Sequence, residues 1–143
     1  MCGIVSYYGK KDSVPFLING LRRLEYRGYD SAGIALMKDG SIESVKKVGK
    51  VDELDKKLKQ SPVKGPIGIA HTRWATHGEP SDINAHPHKD KTGKIFLIHN
   101  GIIENYSTLK EVLIRKGFQF KSQTDTEALV NLISDIYYAD GLN

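Results

Sequence analysis

Residues 32–48 read AGIALMKDGSIESVKKV: two runs rich in apolar and β-forming side chains, 32–38 and 41–48, that meet at Asp39-Gly40. Asp-Gly readily takes the positive backbone angles of a two-residue hairpin turn, so this stretch predicts an antiparallel strand pair. Upstream, residues 2–8 form a short apolar run ended by Gly9 and read as another strand. Asp12 or Ser13 can cap a helix with Pro15 in its first turn. Phe16, Leu17, Leu21 and Leu24 share one face of that helix, which should end near Tyr26, before Gly28.

Downstream, Val51, Leu54 and Leu58 recur at helical spacing through residues 51–60, and Pro62, Gly65 and Pro66 break the pattern before a strand at 67–72. Residues 74–92 hold Gly78, Pro80 and Pro87 with little apolar periodicity and read as a long loop, a length that usually signals function. A strand over 94–99 runs into Asn100-Gly101. The spacing predicts a helix over 107–116 with Leu109, Val112 and Leu113 inward, closed by Gly117. A second is predicted over 124–138, with Thr124 or Asp125 as cap, Glu127 in the capping-box position, and Leu129, Leu132, Ile133 and Ile136 buried. The sum is an α+β chain with a mixed or antiparallel sheet and helices packed on it. There are no repeats, and no dinucleotide- or phosphate-loop glycine pattern.

A chain of 143 residues, 39% hydrophobic and 27% charged, suits one domain with a core of its own. No apolar run approaches the roughly 18 residues of a membrane span, and no secretory signal order opens the chain, so a cytoplasmic protein is expected, with no membrane partner. The net charge of +4 is far from a polybasic signature, so no nucleic-acid partner is expected. Lys46, Lys47, Lys50, Lys56, Lys57 and Lys59, interspersed with Asp52, Glu53 and Asp55, read as a solvated face. One cysteine excludes an internal disulfide.

That cysteine is residue 2. A lone cysteine is more often a small buried hydrophobe than a nucleophile. Removal of Met1, which a residue as small as Cys permits, would leave a thiol and a free α-amine on one residue. With an unperturbed pKa of roughly 7.7–8.0, that amine is a built-in general base. The histidines, His71, His77, His86, His88 and His99, raise two alternatives. A metal site around His86-Pro87-His88 lacks both helical pair spacing and a thiolate cluster, and no metal is expected. A Cys-His dyad needs only spatial contact. Arg73, at a strand end beside Trp74, suits a carboxylate, or a surface ion pair next to a buried Trp. Asn100-Gly101 is usually a turn, and can also aim a side-chain amide and a backbone N–H at a developing oxyanion.

Read together, the start Met1-Cys2-Gly3-Ile4-Val5, the run from Leu24 to Gly33, the stretch from His71 to Gly78, Asn84-Ala85-His86-Pro87-His88, His99-Asn100-Gly101 and Thr124-Asp125-Thr126-Glu127 resemble the class II glutamine amidotransferases. Within that class, Glu25 to Asp30 and Arg73 to Gly78 are similar to the glucosamine-6-phosphate synthases. Phosphoribosyl-pyrophosphate amidotransferases and asparagine synthetases share the start but word these segments differently. Ser6 stands where many relatives carry Gly.

The resemblance implies an N-terminal nucleophile hydrolase fold, a four-layer αββα sandwich of mostly antiparallel sheets, incomplete in this chain. It implies Cys2 as nucleophile on the glutamine side-chain amide, Asn100 and the Gly101 N–H as oxyanion site, and no cofactor. Arg73 would bind the substrate carboxylate and Asp125 its α-ammonium, with Thr76 and His77 lining the pocket. Trp74 would ride on a mobile covering loop, and Arg27 would order the nucleophile's surroundings. The expected partners are L-glutamine and sugar-phosphate isomerase domains carrying a fructose 6-phosphate site, in a homodimeric parent enzyme. Residues 1–143 are expected to be a glutaminase domain truncated at its C-terminus, the isomerase domains being absent and apolar faces left exposed. A glutamine-binding module without turnover is the alternative if Met1 is kept, and a structural cysteine in an unrelated α+β domain is the remaining one.

Overall fold

The computed structural model describes residues 2–74 and 78–139. Strands β1 (Gly3–Tyr8), β2 (Ser31–Lys38), β3 (Ser41–Val48) and β4 (Ile67–Arg73) form one antiparallel sheet in the order β1-β4-β2-β3. The hairpin forms where expected: Lys38 pairs with Ser41, and Asp39 and Gly40 turn with φ of 51° and 78°. A Cβ at Gly40 would meet nothing within 4 Å, so Gly40→Ala tests the backbone alone. It is expected to lower the unfolding free energy by about 1 kcal/mol. A urea midpoint that drops at unchanged slope would show this, and an unmoved midpoint would count against the turn.

Ala32, Ile34 and Leu36 of β2 and Ala70 of β4 point to one face of the sheet, as period-two alternation requires. There they meet Leu17, Ile18 and Leu21 of α1 (Val14–Leu24) and Val51, Leu54 and Leu58 of α2 (Val51–Gln60) in a buried core. Ser13 does not cap α1: its hydroxyl and its N–H both donate to the Gly65 carbonyl, at 2.6 and 2.8 Å, tying the helix start to the approach to β4. Phe16 stays half in solvent, stacked on Tyr7 with ring centroids 4.5 Å apart. A 3-10 turn, Glu25–Arg27, follows α1, and Glu25 Oε2 accepts the Val51 N–H at 2.9 Å, capping α2 from outside.

The opposite face of the sheet is also covered. A Cβ on Gly33 would fall 2.0 Å from the His86 carbonyl oxygen, so the segment through His86 lies directly on β2, where only a glycine leaves room. Beyond it come a two-stranded antiparallel ribbon, β5 (His88–Lys89) with β6 (Phe96–Leu97), then α3 (Tyr106–Arg115) and α4 (Asp125–Ala139). Helix α4 packs on β5 and β6, and α3 on α4. The layers therefore run α1/α2, four-stranded sheet, ribbon, α4/α3: an α+β architecture in αββα order.

Several details differ from the sequence reading. The strand expected over 94–99 is reduced to Phe96–Leu97, because the Asp90 carboxylate accepts the N–H groups of Thr92, Lys94 and Ile95 at 3.0–3.1 Å and bends the chain away from a ladder. The long 74–92 loop gains β5. Helix α4 turns its other face inward: Glu127, Val130, Asn131 and Ser134 are buried, Leu129 and Leu132 half-buried, and Ile133 and Ile136 exposed. Polar docking decides this, since Asn131 Oδ1 accepts the Lys91 N–H at 3.1 Å and Ser134 Oγ donates to Asp90 at 2.8 Å. Glu127 makes no capping box; its carboxylate takes the N–H groups of Lys121 and Ser122. On α3 Leu113 is buried, Leu109 half-buried and Val112 exposed, for the helix leans chiefly on α4. Lys46 leaves the solvated face expected for it: its Nζ donates to the Ile83 carbonyl at 3.0 Å, and burial lowers its pKa to about 8. Among the described residues, no helix is long and apolar enough to cross a membrane.

Candidate active site

Antiparallel pairing of β1 with β4 sets Gly3 opposite Thr72, so the next step outward brings Cys2 to the end of β4, where Arg73 and Trp74 lie. The Trp74 N–H donates to Cys2 Sγ at 3.2 Å, and the thiol faces the Trp74 carbonyl at 3.6 Å. The Gly3 N–H donates to Thr72 Oγ1 at 3.1 Å and locks the strand start. Among the described residues these Trp74 backbone groups, rather than a histidine, are the sulfur's hydrogen-bond partners, which removes support from a Cys-His dyad there.

Cys2 opens onto a cavity of about 440 Å³ that also takes in Arg27, Arg73, Trp74, Asn100, Gly101 and Asp125. Seven of the nine residues singled out in the sequence thus meet in one place, from five separate segments. The other two, Thr76 and His77, lie outside the described residues. The exposed Trp74 indole lies over Gly28 at the rim. Asn100 Nδ2 donates to the Cys2 carbonyl at 3.3 Å, and Asn100 Oδ1 lies 2.7 Å from His71 Nε2. Also in the lining, Asp125 begins α4 and accepts the Ile103 N–H at 2.7 Å.

Arg73 lines this cavity but is 3% exposed, with its guanidinium donating to the carbonyls of Gly78 at 3.0 Å and Glu79 at 3.3 Å and standing 3.9 Å from Asp30. It is therefore no surface arginine. It ties the end of β4 to the Gly78-Glu79 backbone.

His71, His86 and His99, weighed in the sequence only as metal or dyad candidates, also line the wall, as do Ile102, Thr126 and Thr124, the last expected only as a helix cap. A usable signal existed for His71: it sits two residues before Arg73 on the same strand, hence on the same face. Its ring lies 4.5 Å from that of His86, which lies 4.6 Å from His88. Burial lowers the pKa of His71 to about 4, against the opposing pull of its Asn100 hydrogen bond, and that of His88 to about 3. Burial drives His86 down as well, reinforced by its two histidine neighbours. All three are neutral near pH 7. His88 Nε2 bonds the Thr124 hydroxyl at 2.9 Å, and among the described residues no three His, Cys, Asp or Glu side chains are grouped to hold a metal ion.

Residues 55–139 match the family described as glutamine amidotransferase domain. The chain is 56% identical over 142 residues to the glutamine--fructose-6-phosphate aminotransferase [isomerizing] of Clostridium acetobutylicum, covering 99% of this chain and 23% of that protein. It is 61% identical over 134 residues to the protein of the same name from Bacteroides thetaiotaomicron, covering 93% and 22%. The chain thus spans under a quarter of the length of the curated relatives it matches. Among solved structures it superposes on the glutamine phosphoribosylpyrophosphate amidotransferase from B. subtilis complexed with ADP and GMP, with a TM-score of 0.78 and 29% identity over 94% of this chain and 29% of that one. A structure described as the allosteric regulatory enzyme of purine biosynthesis gives a TM-score of 0.80 at the same identity and the same two coverages. With a family match over more than half its length and the fold of known amidotransferases, this chain belongs to the glutamine amidotransferase family.

Proposed function

We propose that residues 1–143 are the front part of a glutaminase domain that hydrolyses L-glutamine to glutamate and ammonia through a thioester on Cys2. The observation that carries this reading is the convergence of Cys2, Asn100, Arg73 and Asp125 on one cavity. Once Met1 is removed, the α-amine of Cys2 takes the thiol proton, and the sulfur attacks the side-chain amide carbon of glutamine. Asn100 Nδ2–H and the Gly101 N–H hold the oxyanion of the tetrahedral intermediate. The protonated amine then gives its proton to the leaving nitrogen, releasing ammonia and the γ-glutamyl thioester. Water, deprotonated by the same amine, attacks the thioester and frees glutamate and the thiol.

Arg73 and Asp125 supply opposite charges for the substrate's α-carboxylate and α-ammonium. Trp74 adds to the wall and Arg27 orders the surroundings of Cys2. In the parent enzyme the ammonia passes to sugar-phosphate isomerase domains that convert fructose 6-phosphate to glucosamine 6-phosphate, in a cytoplasmic homodimer; the names of the relatives at 56% and 61% identity support this acceptor.

The test is chemical trapping. With Met1 shown to be absent by intact mass, L-glutamine is expected to yield glutamate, and added hydroxylamine to divert the thioester to γ-glutamyl hydroxamate. Formation of neither product would overturn the reading.

A further inference from the structure

Asn100 ends in an amide whose oxygen and nitrogen must be told apart, and its neighbours do so. One end lies 3.3 Å from the Cys2 carbonyl oxygen, which can only accept, so that end is the NH2 group. The other end, Oδ1, lies 2.7 Å from His71 Nε2. An amide oxygen also only accepts, so Nε2 must carry a proton. The remaining ring nitrogen, Nδ1, is buried without a partner among the described residues, as fits the lone-pair side of a neutral ring. His71 is 1% exposed on β4, which is paired on both sides, and its ring packs against His86. The donor therefore has a fixed place.

We propose that His71 is a positioning residue for the oxyanion site: as its Nε2–H tautomer it pins the Asn100 carboxamide so that one NH2 hydrogen meets the Cys2 carbonyl and the other faces the cavity. This rests on the reading of the cavity as a glutaminase site. Flipped, Asn100 would set Oδ1 against the Cys2 carbonyl and offer an acceptor to an incoming oxyanion, two repulsions in place of two hydrogen bonds. His71 touches no substrate atom in this scheme. It acts through Asn100, and the dependence is measurable as coupling.

The experiment is a double-mutant cycle in the full-length, Met1-processed protein, with His71→Phe keeping a ring but no donor. Asn100→Ala is expected to lower kcat about 10²- to 10³-fold, as loss of one oxyanion donor does. His71→Phe should lower kcat at least about tenfold with KM within about threefold. The double variant should be no slower than Asn100→Ala alone, because the group His71 positions is gone. Losses that multiply, or a change confined to KM, would overturn the proposal. Nitrogen-15 spectra of histidine-labelled wild-type protein test it independently of turnover: Nε2 of His71 should be protonated and Nδ1 bare, and the opposite tautomer would overturn it. A wild type that fails to hydrolyse glutamine would defeat the functional reading, and the tautomer would still decide the role of His71.

Discussion

Cys2→Ala is expected to lower glutamine hydrolysis at least about 10⁴-fold, and retention of Met1 by a comparable factor. The first loss removes the atom that forms the thioester. The second keeps the sulfur and removes its base. Within the described residues Sγ is hydrogen-bonded to Trp74 backbone groups, neither of which can accept and return a proton during turnover. An α-amine with a pKa of roughly 7.7–8.0 can do both, whereas the same nitrogen in a peptide bond to Met1 has no basic lone pair. Glutamate release from three preparations, wild type without Met1, wild type with Met1 retained, and Cys2→Ala, checks this directly. Iodoacetamide should still alkylate Cys2 when Met1 remains, separating an intact sulfur from a missing base. Hydrolysis above about a tenth of the normal rate with Met1 in place would move the general base to a side chain.

A second large effect is expected of acid on stability. His71 and His88 have folded-state pKa values pushed down to about 4 and about 3 by burial, from an ordinary 6.5, and His86 is driven the same way. Below pH 6.5 the unfolded chain takes up protons that the folded chain refuses. These groups therefore contribute stability that is complete above about pH 6.5 and is lost as the pH falls towards the folded values. His71 alone accounts for a loss on the order of 3 kcal/mol across that window, a large part of a typical domain's total.

The carboxylate contribution comes later. Burial by itself would raise the pKa of Asp90, but its hydrogen bonds from Thr92, Ile95 and Ser134 outweigh burial and hold it below 3.8. Its stabilisation is lost only as the pH drops through that lower range. Urea titrations at half-unit steps from pH 7 to 4.5 should show a falling unfolding free energy with uptake of two or more protons. A flat profile over that interval would mean the histidine rings reach solvent.

The elements built on local rules were legible in the sequence. Asp39-Gly40 fixed a turn, and the spacing of Val51, Leu54 and Leu58 named the buried stripe of α2, since period and turn chemistry act within a few residues. The αββα order came from the family resemblance rather than from any residue pattern. Where the reading failed, side-chain hydrogen bonds had decided, local ones to the backbone at Asp90 and long-range ones on α4. Asp90 gathers N–H groups that would otherwise have extended β6, and Asn131 and Ser134 dock α4 by the face opposite to its isoleucines. Apolar spacing cannot announce such contacts, because Asn and Ser look the same in sequence whether they cap a loop or face water. The resemblance named the candidate site residues, seven of which line one cavity, yet it gave His71 no task there. Its role depends on the two ends of one amide, a distinction that only three-dimensional neighbours make.

The pairing of β1 with β4 also bears on how this chain can change length in descent. From Gly3 with Thr72 to Tyr8 with Ile67 the two strands match residue for residue, and Cys2 meets the end of β4 only because that count is kept. One residue gained or lost within either strand would turn the following side chains to the opposite face and carry the sulfur off its neighbours. Duplications and deletions should therefore survive at the surface turns, those between β1 and β4 included, and be purged from the strands, leaving the lengths of β1 and β4 themselves fixed in descent.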